Sequence, residues 1–174
     1  IEMADFKGRV VLLTGATGGF GASAARYFSK AGASLVLSDL GADRLEALAE
    51  ELGGKAVALS GDVSDPAVSE RLVEKAMSEY GRLDIAVNNA GIAHDMMPLP
   101  KTPVDVAKKI IDVDLLGVFY AMRAQLPVME QRFRETGESG AIINVALSCR
   151  SRLEFRYRPD AADRWRPERF LSVV

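Results

Sequence analysis

The residues best suited to chemistry stand in a glycine-rich segment, Thr14–Gly21, with the sequence TGATGGFG. An aliphatic run precedes this segment, and an alanine-rich stretch with helical spacing follows it. Glycine lets the backbone turn tightly and lets a phosphate group approach without meeting a Cβ atom. The N–H groups at the start of the next helix can bind that phosphate. Between a strand and a helix, this pattern predicts a dinucleotide-binding turn.

Asp39 closes the next aliphatic run, 24 positions after Gly15. A carboxylate there can accept hydrogen bonds from the adenosine ribose hydroxyls, and it would repel a 2′-phosphate. The neighbouring Leu40 is not the Arg or Lys that would pair with such a phosphate, so the sequence favours NAD over NADP. The alternative role of Asp39 is to cap the following helix.

Two further motifs follow later aliphatic runs. Asp62, beside Val63, stands where a carboxylate could accept from the adenine amine, although a turn or helix-cap role is equally open. Asn88–Gly91 combines two amides with small residues. The small residues would leave room for a cofactor and the amides could tie neighbouring strands together, but an ordinary turn also uses Asn and Gly.

The elements that must position these residues alternate along the chain. Aliphatic runs predict strands over 9–14, 33–39, 55–60, 83–88 and 141–146. Helices are predicted over 22–31, 42–52, 66–81 and 104–134, the last being either one long helix or a kinked pair that breaks at Pro127. This alternation predicts an α/β fold with a doubly wound parallel sheet of the Rossmann type. Its ligand crevice lies at the carboxyl ends of the strands, where the motifs above stand.

Two other groups of residues carry weaker predictions. Leu115, Phe119, Met122 and Leu126 follow helical spacing and are expected in the core. His94, Met96 and Met97 fall in a predicted loop over 94–103, where they either line a substrate pocket or form an ordinary loop.

The composition limits the class of protein. With 174 residues, 48% hydrophobic and 26% charged, the chain is expected to form a single globular domain. A net charge of −2 gives no case for binding nucleic acid or an anionic membrane, and no apolar run is long enough to span a bilayer. The single Cys149 and single His94 predict neither a disulfide framework nor a metal site, which fits a cytoplasmic location.

Residues 6–146 resemble the short-chain dehydrogenase/reductase family of the classical type. The resemblance is carried by Thr14–Gly21, Asp39, Asp62-Val63, Asn88–Gly91 and the segment GAIINV at 140–145. It implies a NAD-dependent oxidoreductase that moves a hydride between nicotinamide and a small alcohol or carbonyl substrate. The cofactor contacts it implies are Gly15, Thr17, Gly18, Gly19, Phe20, Gly21, Asp39, Leu40, Asp62, Val63, Asn89, Ala90 and Gly91. In this family the long helix before the fifth strand and the catalytic helix after it form a four-helix interface between the subunits of a homo-oligomer. Only the first of these helices has a counterpart here, so aggregation or an unusual dimer is expected.

The family's catalytic residues are only partly matched. Hydride transfer to a carbonyl needs a positioned proton donor. The family uses a Tyr with a Lys four positions later, a Ser after the fifth strand and an Asn in the preceding helix. Asp114 stands at the Asn position, and an ionised carboxylate cannot donate a hydrogen bond. Ser148 stands one residue beyond the expected Ser position, so it is a catalytic candidate in an altered register.

The Tyr-x-x-x-Lys pair has no counterpart. Tyr157 is followed four positions later by Ala161, and no lysine occurs after Lys109. Residues 149–174 hold seven arginines against four acidic residues, with no lysine and no glycine. We therefore predict a NAD-binding domain over 1–148 and an atypical Arg-rich tail over 149–174, with the C-terminal part of the family fold missing. A reading-frame change or a gene-prediction error would explain this tail, and an Arg-rich binding tail anchored by Trp165 is the alternative.

Three functional hypotheses follow. The first is a NAD-dependent oxidoreductase whose catalysis is impaired in this chain. The second is a non-catalytic dinucleotide-binding module, or a truncated or frame-changed relative of the enzyme. The third, a generic flavodoxin-like binding domain, does not explain Asp39 together with Asn88–Gly91.

Overall fold

Five parallel strands form one sheet in this computed structural model, which describes residues 5–93 and 98–146. The strands are β1 Val10–Thr14, β2 Ser34–Ser38, β3 Ala56–Ala58, β4 Ile85–Asn88 and β5 Ala141–Asn144. Their spatial order is β3-β2-β1-β4-β5, and every neighbouring pair is parallel. The predicted doubly wound parallel sheet is confirmed. The order changes direction between β1 and β4, and a ligand crevice is expected at such a switch point.

Helices cover both faces of the sheet. They are α1 Gly19–Lys30, α2 Ala42–Leu52, α3 Pro66–Tyr80, α4 Val104–Ile110 and α5 Gly117–Thr136. A 3-10 turn, Leu99–Lys101, precedes α4, and a π-helical segment, Ile111–Leu116, joins α4 to α5. Among the described residues, no helix is long and apolar enough to cross a membrane.

The alternation of side chains along β1 divides the core into two layers. Val10 and Leu12 pack with residues of α3 and with Met129 of α5 on one face. Val11 and Leu13 pack with residues of α1 and α2 on the other face. A strand that is buried on both faces is continuously aliphatic, which explains why these runs were readable in the sequence.

The first turn of α3 was predictable from local chemistry. The Asp65 side chain accepts a hydrogen bond from the Ala67 N–H at 3.0 Å, and Pro66 occupies the first helical position. Gly81 ends the helix in the left-handed conformation, with φ at 70°. By contrast α1 begins at Gly19 rather than at residue 22, because the glycine-rich turn leads directly into the helix.

Of the two alternatives for the last helix, the kinked pair with a break at Pro127 is wrong, and one continuous helical run is observed. Pro127 lies inside the continuous helix α5, on its exposed side, where water can reach the carbonyl that loses its N–H partner. The irregularity lies earlier, in the π-helical segment Ile111–Leu116. Extra residues in a helical turn of this kind are frequent at functional sites.

The predicted core stripe of the long helix is also wrong. Leu115, Phe119 and Leu126 are 63%, 57% and 42% exposed, and Met122 is half-buried. The side of α5 that packs on the protein instead carries the buried residues Gly117, Ala121, Gln125 and Met129. Both sets follow helical spacing, and at Gly117 the lack of a side chain leaves room for Val63, whose Cγ2 would lie 3.1 Å from a Cβ there.

Candidate functional site

The carboxyl ends of the strands surround a cleft of about 430 Å³, a size typical of small-molecule sites. Every residue predicted to contact the cofactor lines this cleft, from the glycine-rich turn to Asn89–Gly91. The remaining lining residues, which were not predicted from the sequence, are Arg44, Gly61, Ile92, Lys109 and Val113. Arg44 lies in the first turn of α2, and Lys109 lies five residues before Asp114. A basic residue in either helix is common on a solvated surface, so no sequence signal marked these two.

The glycines of the turn have different roles. Gly15 adopts φ +64°, and a Cβ there would lie 2.9 Å from Ala90 Cα. A Cβ on Gly21 would lie 2.0 Å from the Gly15 carbonyl oxygen, so the turn closes only without a side chain. At Gly19 a Cβ would meet nothing within 4 Å. That open space, beside a helix whose N-cap Gly18 offers no capping side chain, is suited to an anionic group.

Hydrogen bonds hold the ends of β1 and β4 together beneath the turn. The Thr14 hydroxyl oxygen accepts from the Asn89 and Ala90 N–H groups, both at 3.1 Å. The Asn89 side-chain amide donates to the Thr14 and Gly15 carbonyls, also at 3.1 Å. The prediction that these amides tie neighbouring strands together is confirmed.

A second amide cluster fixes the neighbouring strand end. The buried side chains of Asn88 and Gln125 exchange hydrogen bonds at 2.9 and 3.3 Å. Asn88 also donates to the Asn144 side chain at 2.9 Å. These contacts join β4, β5 and α5 at the edge of the cleft. Reciprocal amide bonds satisfy groups that would be costly to bury unpaired.

Asp39 is partly buried at the end of β2 and accepts three hydrogen bonds. The Thr17 N–H and hydroxyl donate to Oδ2 at 2.8 and 2.7 Å, and the Leu40 N–H donates to Oδ1 at 2.7 Å. Burial opposes ionisation, but these bonds and the nearby charge of Arg44 hold the pKa of Asp39 below its ordinary value. Asp39 does not cap α2, since the N-cap is Gly41.

Asp62 takes the turn role that the sequence left open, and it also lines the cleft. Its Oδ1 accepts from the Ser64 hydroxyl at 2.7 Å and from the Ser64 N–H at 2.9 Å. These bonds, together with the charge of Lys109, outweigh burial and hold the pKa of Asp62 below its ordinary value. Its other oxygen, Oδ2, receives no hydrogen bond from the described residues, so it can still accept one.

The structure describes one of the two candidate catalytic residues, Asp114. Asp114 lies on the π-helical segment, and its Oδ1 accepts from the Ile92 N–H at 2.8 Å. A Cβ on Gly91 would lie 3.4 Å from the same oxygen, so Asp114 sits directly against the loop after β4. Ser148 lies outside the described residues, as do His94, Met96, Met97 and the Arg-rich tail.

Comparison with known proteins gives consistent matches. A family model for short chain dehydrogenases matches residues 9–152. The 3beta-hydroxysteroid dehydrogenase 2 of Eggerthella lenta is 37% identical over 142 residues, covering 80% of this chain and 53% of the relative. The NADP-dependent 3-hydroxy acid dehydrogenase YdfG of Salmonella typhi is 35% identical, covering 82% of this chain and 55% of the relative.

A solved structure matches to a similar extent. The 3-ketoacyl-(acyl-carrier-protein) reductase of Brucella melitensis, complexed with NADH, has a TM-score of 0.78 at 34% identity. The match covers 80% of this chain and 57% of that chain. The chain thus spans about half the length of the relatives it matches. The family match, the parallel sheet and the glycine-rich turn agree, and the chain belongs to the short-chain dehydrogenase/reductase family.

Proposed function

We propose that this chain binds NAD in the cleft and derives from an oxidoreductase that interconverts a small alcohol and its carbonyl compound. The observation that carries the proposal is the ionised Asp39 carboxylate, which lies beside the glycine-rich turn in one continuous cleft. When bound, the cofactor supplies or accepts the hydride. The residues of the chain bind and orient it.

Three groups of the described residues support the binding of such a cofactor. The open space at Gly19 and the N-terminus of α1 suit the pyrophosphate, since N–H groups and the helix dipole favour an anion there. Asp39 would accept from the adenosine ribose, and Asp62 would accept from the adenine amine. Asn89–Gly91 combine small side chains with a fixed backbone and leave room for the nicotinamide half.

The preference for NAD over NADP rests on the charge of Asp39. A carboxylate with a lowered pKa stays ionised across the physiological range, and it would repel a 2′-phosphate. Arg44 favours the second candidate, NADP, because its side chain lines the same cleft. One relative is NADP-dependent and one solved relative holds NADH, so the family alone does not decide the cofactor.

Turnover by this chain requires a proton donor that its 174 residues do not supply in the family's arrangement. The Tyr-x-x-x-Lys pair is absent from the sequence, and Asp114 accepts a hydrogen bond rather than donating one. We therefore propose that residues 1–148 bind the cofactor while catalysis is impaired. The alternative, a non-catalytic dinucleotide-binding module or a frame-changed relative, predicts the same binding.

The cofactor proposal is tested by titrating the purified chain with NADH and NADPH and following their fluorescence. We expect NADH to bind at least about tenfold more tightly, and Asp39→Asn to reduce that ratio by improving NADPH binding. Tighter binding of NADPH than NADH by the unmodified chain would overturn the assignment of Asp39.

The proposal of impaired catalysis needs a separate experiment. NADH consumption is measured with a panel of aldehydes and ketones, using the chain and its Tyr157→Phe variant. We expect no turnover above the protein-free background. Turnover that survives in Tyr157→Phe would show that another group donates the proton, whereas turnover lost in that variant would assign the role to Tyr157.

We also propose self-association through the exposed apolar side of the π-helical segment and α5. Leu115, Phe119 and Leu126 lie on that side and are largely exposed. Burying them against a second copy would remove apolar surface from water.

A further inference from the structure

The Asp39 carboxylate has little accepting capacity left for a ligand. A carboxylate offers about four acceptor positions, two on each oxygen. Thr17 fills two of them on Oδ2, through its N–H at 2.8 Å and its hydroxyl at 2.7 Å. The Leu40 N–H fills one on Oδ1 at 2.7 Å. Counting the donors among the described residues, one position remains, and it belongs to Oδ1.

The Thr17 hydroxyl donates its hydrogen bond to Asp39, which its place in the turn does not predict. Thr17 stands inside the glycine-rich turn, between Ala16 and Gly18, where a hydroxyl would be expected to donate to a bound phosphate. A hydroxyl has a single hydrogen, and here it is donated in a hydrogen bond to Asp39. Donation to a phosphate and donation to Asp39 exclude each other.

We propose that Thr17 is a positioning residue for cofactor discrimination, which pins Oδ2 of Asp39 so that only Oδ1 is left to accept from the adenosine ribose. This inference rests on the proposed binding of NAD. Two donors from one residue on one oxygen fix the rotation of the carboxylate and hold its charge at a defined place. Repulsion of a 2′-phosphate depends on that placement, because Coulomb energy falls with distance.

Electrostatics supports the same role. Burial has the largest effect on the pKa of Asp39 and opposes ionisation. The two hydrogen bonds from Thr17 have the next largest effects, and both lower that pKa. Removing the hydroxyl would therefore raise that pKa while leaving the backbone N–H bond in place. Protonated Asp39 no longer repels a 2′-phosphate, so discrimination against NADPH should fail at a higher pH once the hydroxyl is gone.

The test compares Thr17→Val, which keeps the shape and the backbone N–H, with Thr17→Ser, which keeps the hydroxyl. Dissociation constants for NADH and NADPH are measured by fluorescence on the full chain at neutral pH. We expect the ratio of the NADPH dissociation constant to the NADH dissociation constant to fall about fivefold in Thr17→Val. In Thr17→Ser this ratio should stay near the unmodified value. The same titrations at decreasing pH should show the ratio falling at a higher pH in Thr17→Val than in the unmodified chain.

Asp39→Asn and the double variant Thr17→Val/Asp39→Asn complete the experiment. If Thr17 acts through Asp39, adding Thr17→Val to Asp39→Asn changes the ratio no further. An equal loss of NADH and NADPH affinity in Thr17→Val, with an unchanged ratio, would show that the hydroxyl binds phosphate and would overturn the inference alone. If instead Asp39→Asn leaves the ratio unchanged, the role of Asp39 in the proposed function fails, and the inference fails with it.

Discussion

At the scale of single residues, two glycines in one turn lack a side chain for different reasons. Gly21 is needed by the protein itself, since a Cβ there would lie 2.0 Å from the Gly15 carbonyl oxygen. Gly19 faces open space, since a Cβ there would have no atom within 4 Å. Packing therefore explains the first glycine, whereas the second is explained by the pyrophosphate placement proposed above.

This contrast gives a matched pair of variants. Gly21→Ala should lower the free energy of unfolding by about 3 kcal/mol, because the backbone must shift to relieve the overlap. Gly19→Ala should unfold like the unmodified chain but bind NADH at least about tenfold more weakly, since its methyl group occupies the phosphate path. Thermal unfolding and NADH titration check both. Normal NADH binding by Gly19→Ala would contradict the pyrophosphate placement.

A buried carboxylate at the opposite end of the sheet serves stability. Asp84 is 2% exposed and accepts from the Val10 N–H at 2.8 Å. The side chains of Arg9 and Arg82 also donate to it. Burial opposes ionisation, but these bonds outweigh it and hold the pKa of Asp84 below its ordinary value.

Asp84→Asn should therefore lower the free energy of unfolding by about 2–3 kcal/mol at neutral pH. The folded-state pKa lies below the unfolded value, so the stabilising charge is present above about pH 4 and is lost as the pH falls through the folded-state pKa. Urea unfolding from pH 7 to pH 3 should show the difference between the two proteins shrinking in acid. A difference that stays constant down to pH 3 would show that charge is not its cause.

At the scale of elements, the π-helical segment Ile111–Leu116 links the site to an exposed surface. It places Asp114 against the loop after β4, through the bond to the Ile92 N–H. The same turn leads into α5, which buries Gly117 and Ala121 and leaves Phe119 exposed. The π-helical segment therefore contributes Val113 to the lining of the cleft, and α5 presents apolar side chains to solvent.

The exposed apolar side of the π-helical segment and α5 predicts self-association. Charged side chains introduced on that side should disrupt it. Leu115→Glu with Phe119→Glu should convert an oligomer into a monomer without loss of helical structure, because charged side chains resist burial in an interface. Light scattering after size-exclusion chromatography measures the mass, and circular dichroism checks the fold. Ser78→Glu, on the exposed side of α3, adds charge elsewhere and should leave the mass unchanged. An unmodified chain that is already monomeric at high concentration would refute the proposed interface.

At the scale of the whole molecule, the cleft is assembled from the ends of separate strands. Turn residues after β1, Asp39 after β2, Asp62 beyond β3 and Asn89–Gly91 after β4 all line it. A ligand that contacts all of these segments should stabilise the complete fold, because it binds the native state and not the unfolded chain.

Saturation with NAD at about one hundred times its dissociation constant should add about 2.7 kcal/mol, or roughly 5–10 °C in Tm. NADP at the same concentration should give a smaller rise in Tm. In the Asp39→Asn variant the difference between the Tm shifts with NAD and NADP should be smaller. Differential scanning fluorimetry measures all four combinations. Equal shifts with NAD and NADP in the unmodified chain would contradict the predicted preference.

Much of the fold and nearly all of the proposed cofactor site were predictable because they depend on local patterns. Strands buried on both faces must be continuously aliphatic, and the turn between β1 and α1 needs glycine at Gly15 and Gly21. The face of α5 was not predictable, because two stripes share its helical spacing and only packing against the sheet selects Ala121 and Gln125 over Phe119 and Leu126.

The sequence by itself determined the parallel α/β architecture, the glycine-rich turn and the absence of a Tyr-x-x-x-Lys pair, since each depends on residues close together in the chain. Only the tertiary structure decided how Asp39 is held. Thr17 and Asp39 lie 22 residues apart, and folding alone brings the hydroxyl within 2.7 Å of the carboxylate. It also decided the positions of Arg44 and Lys109, because a basic residue on a helix surface becomes part of a cleft only when strand ends meet beside it.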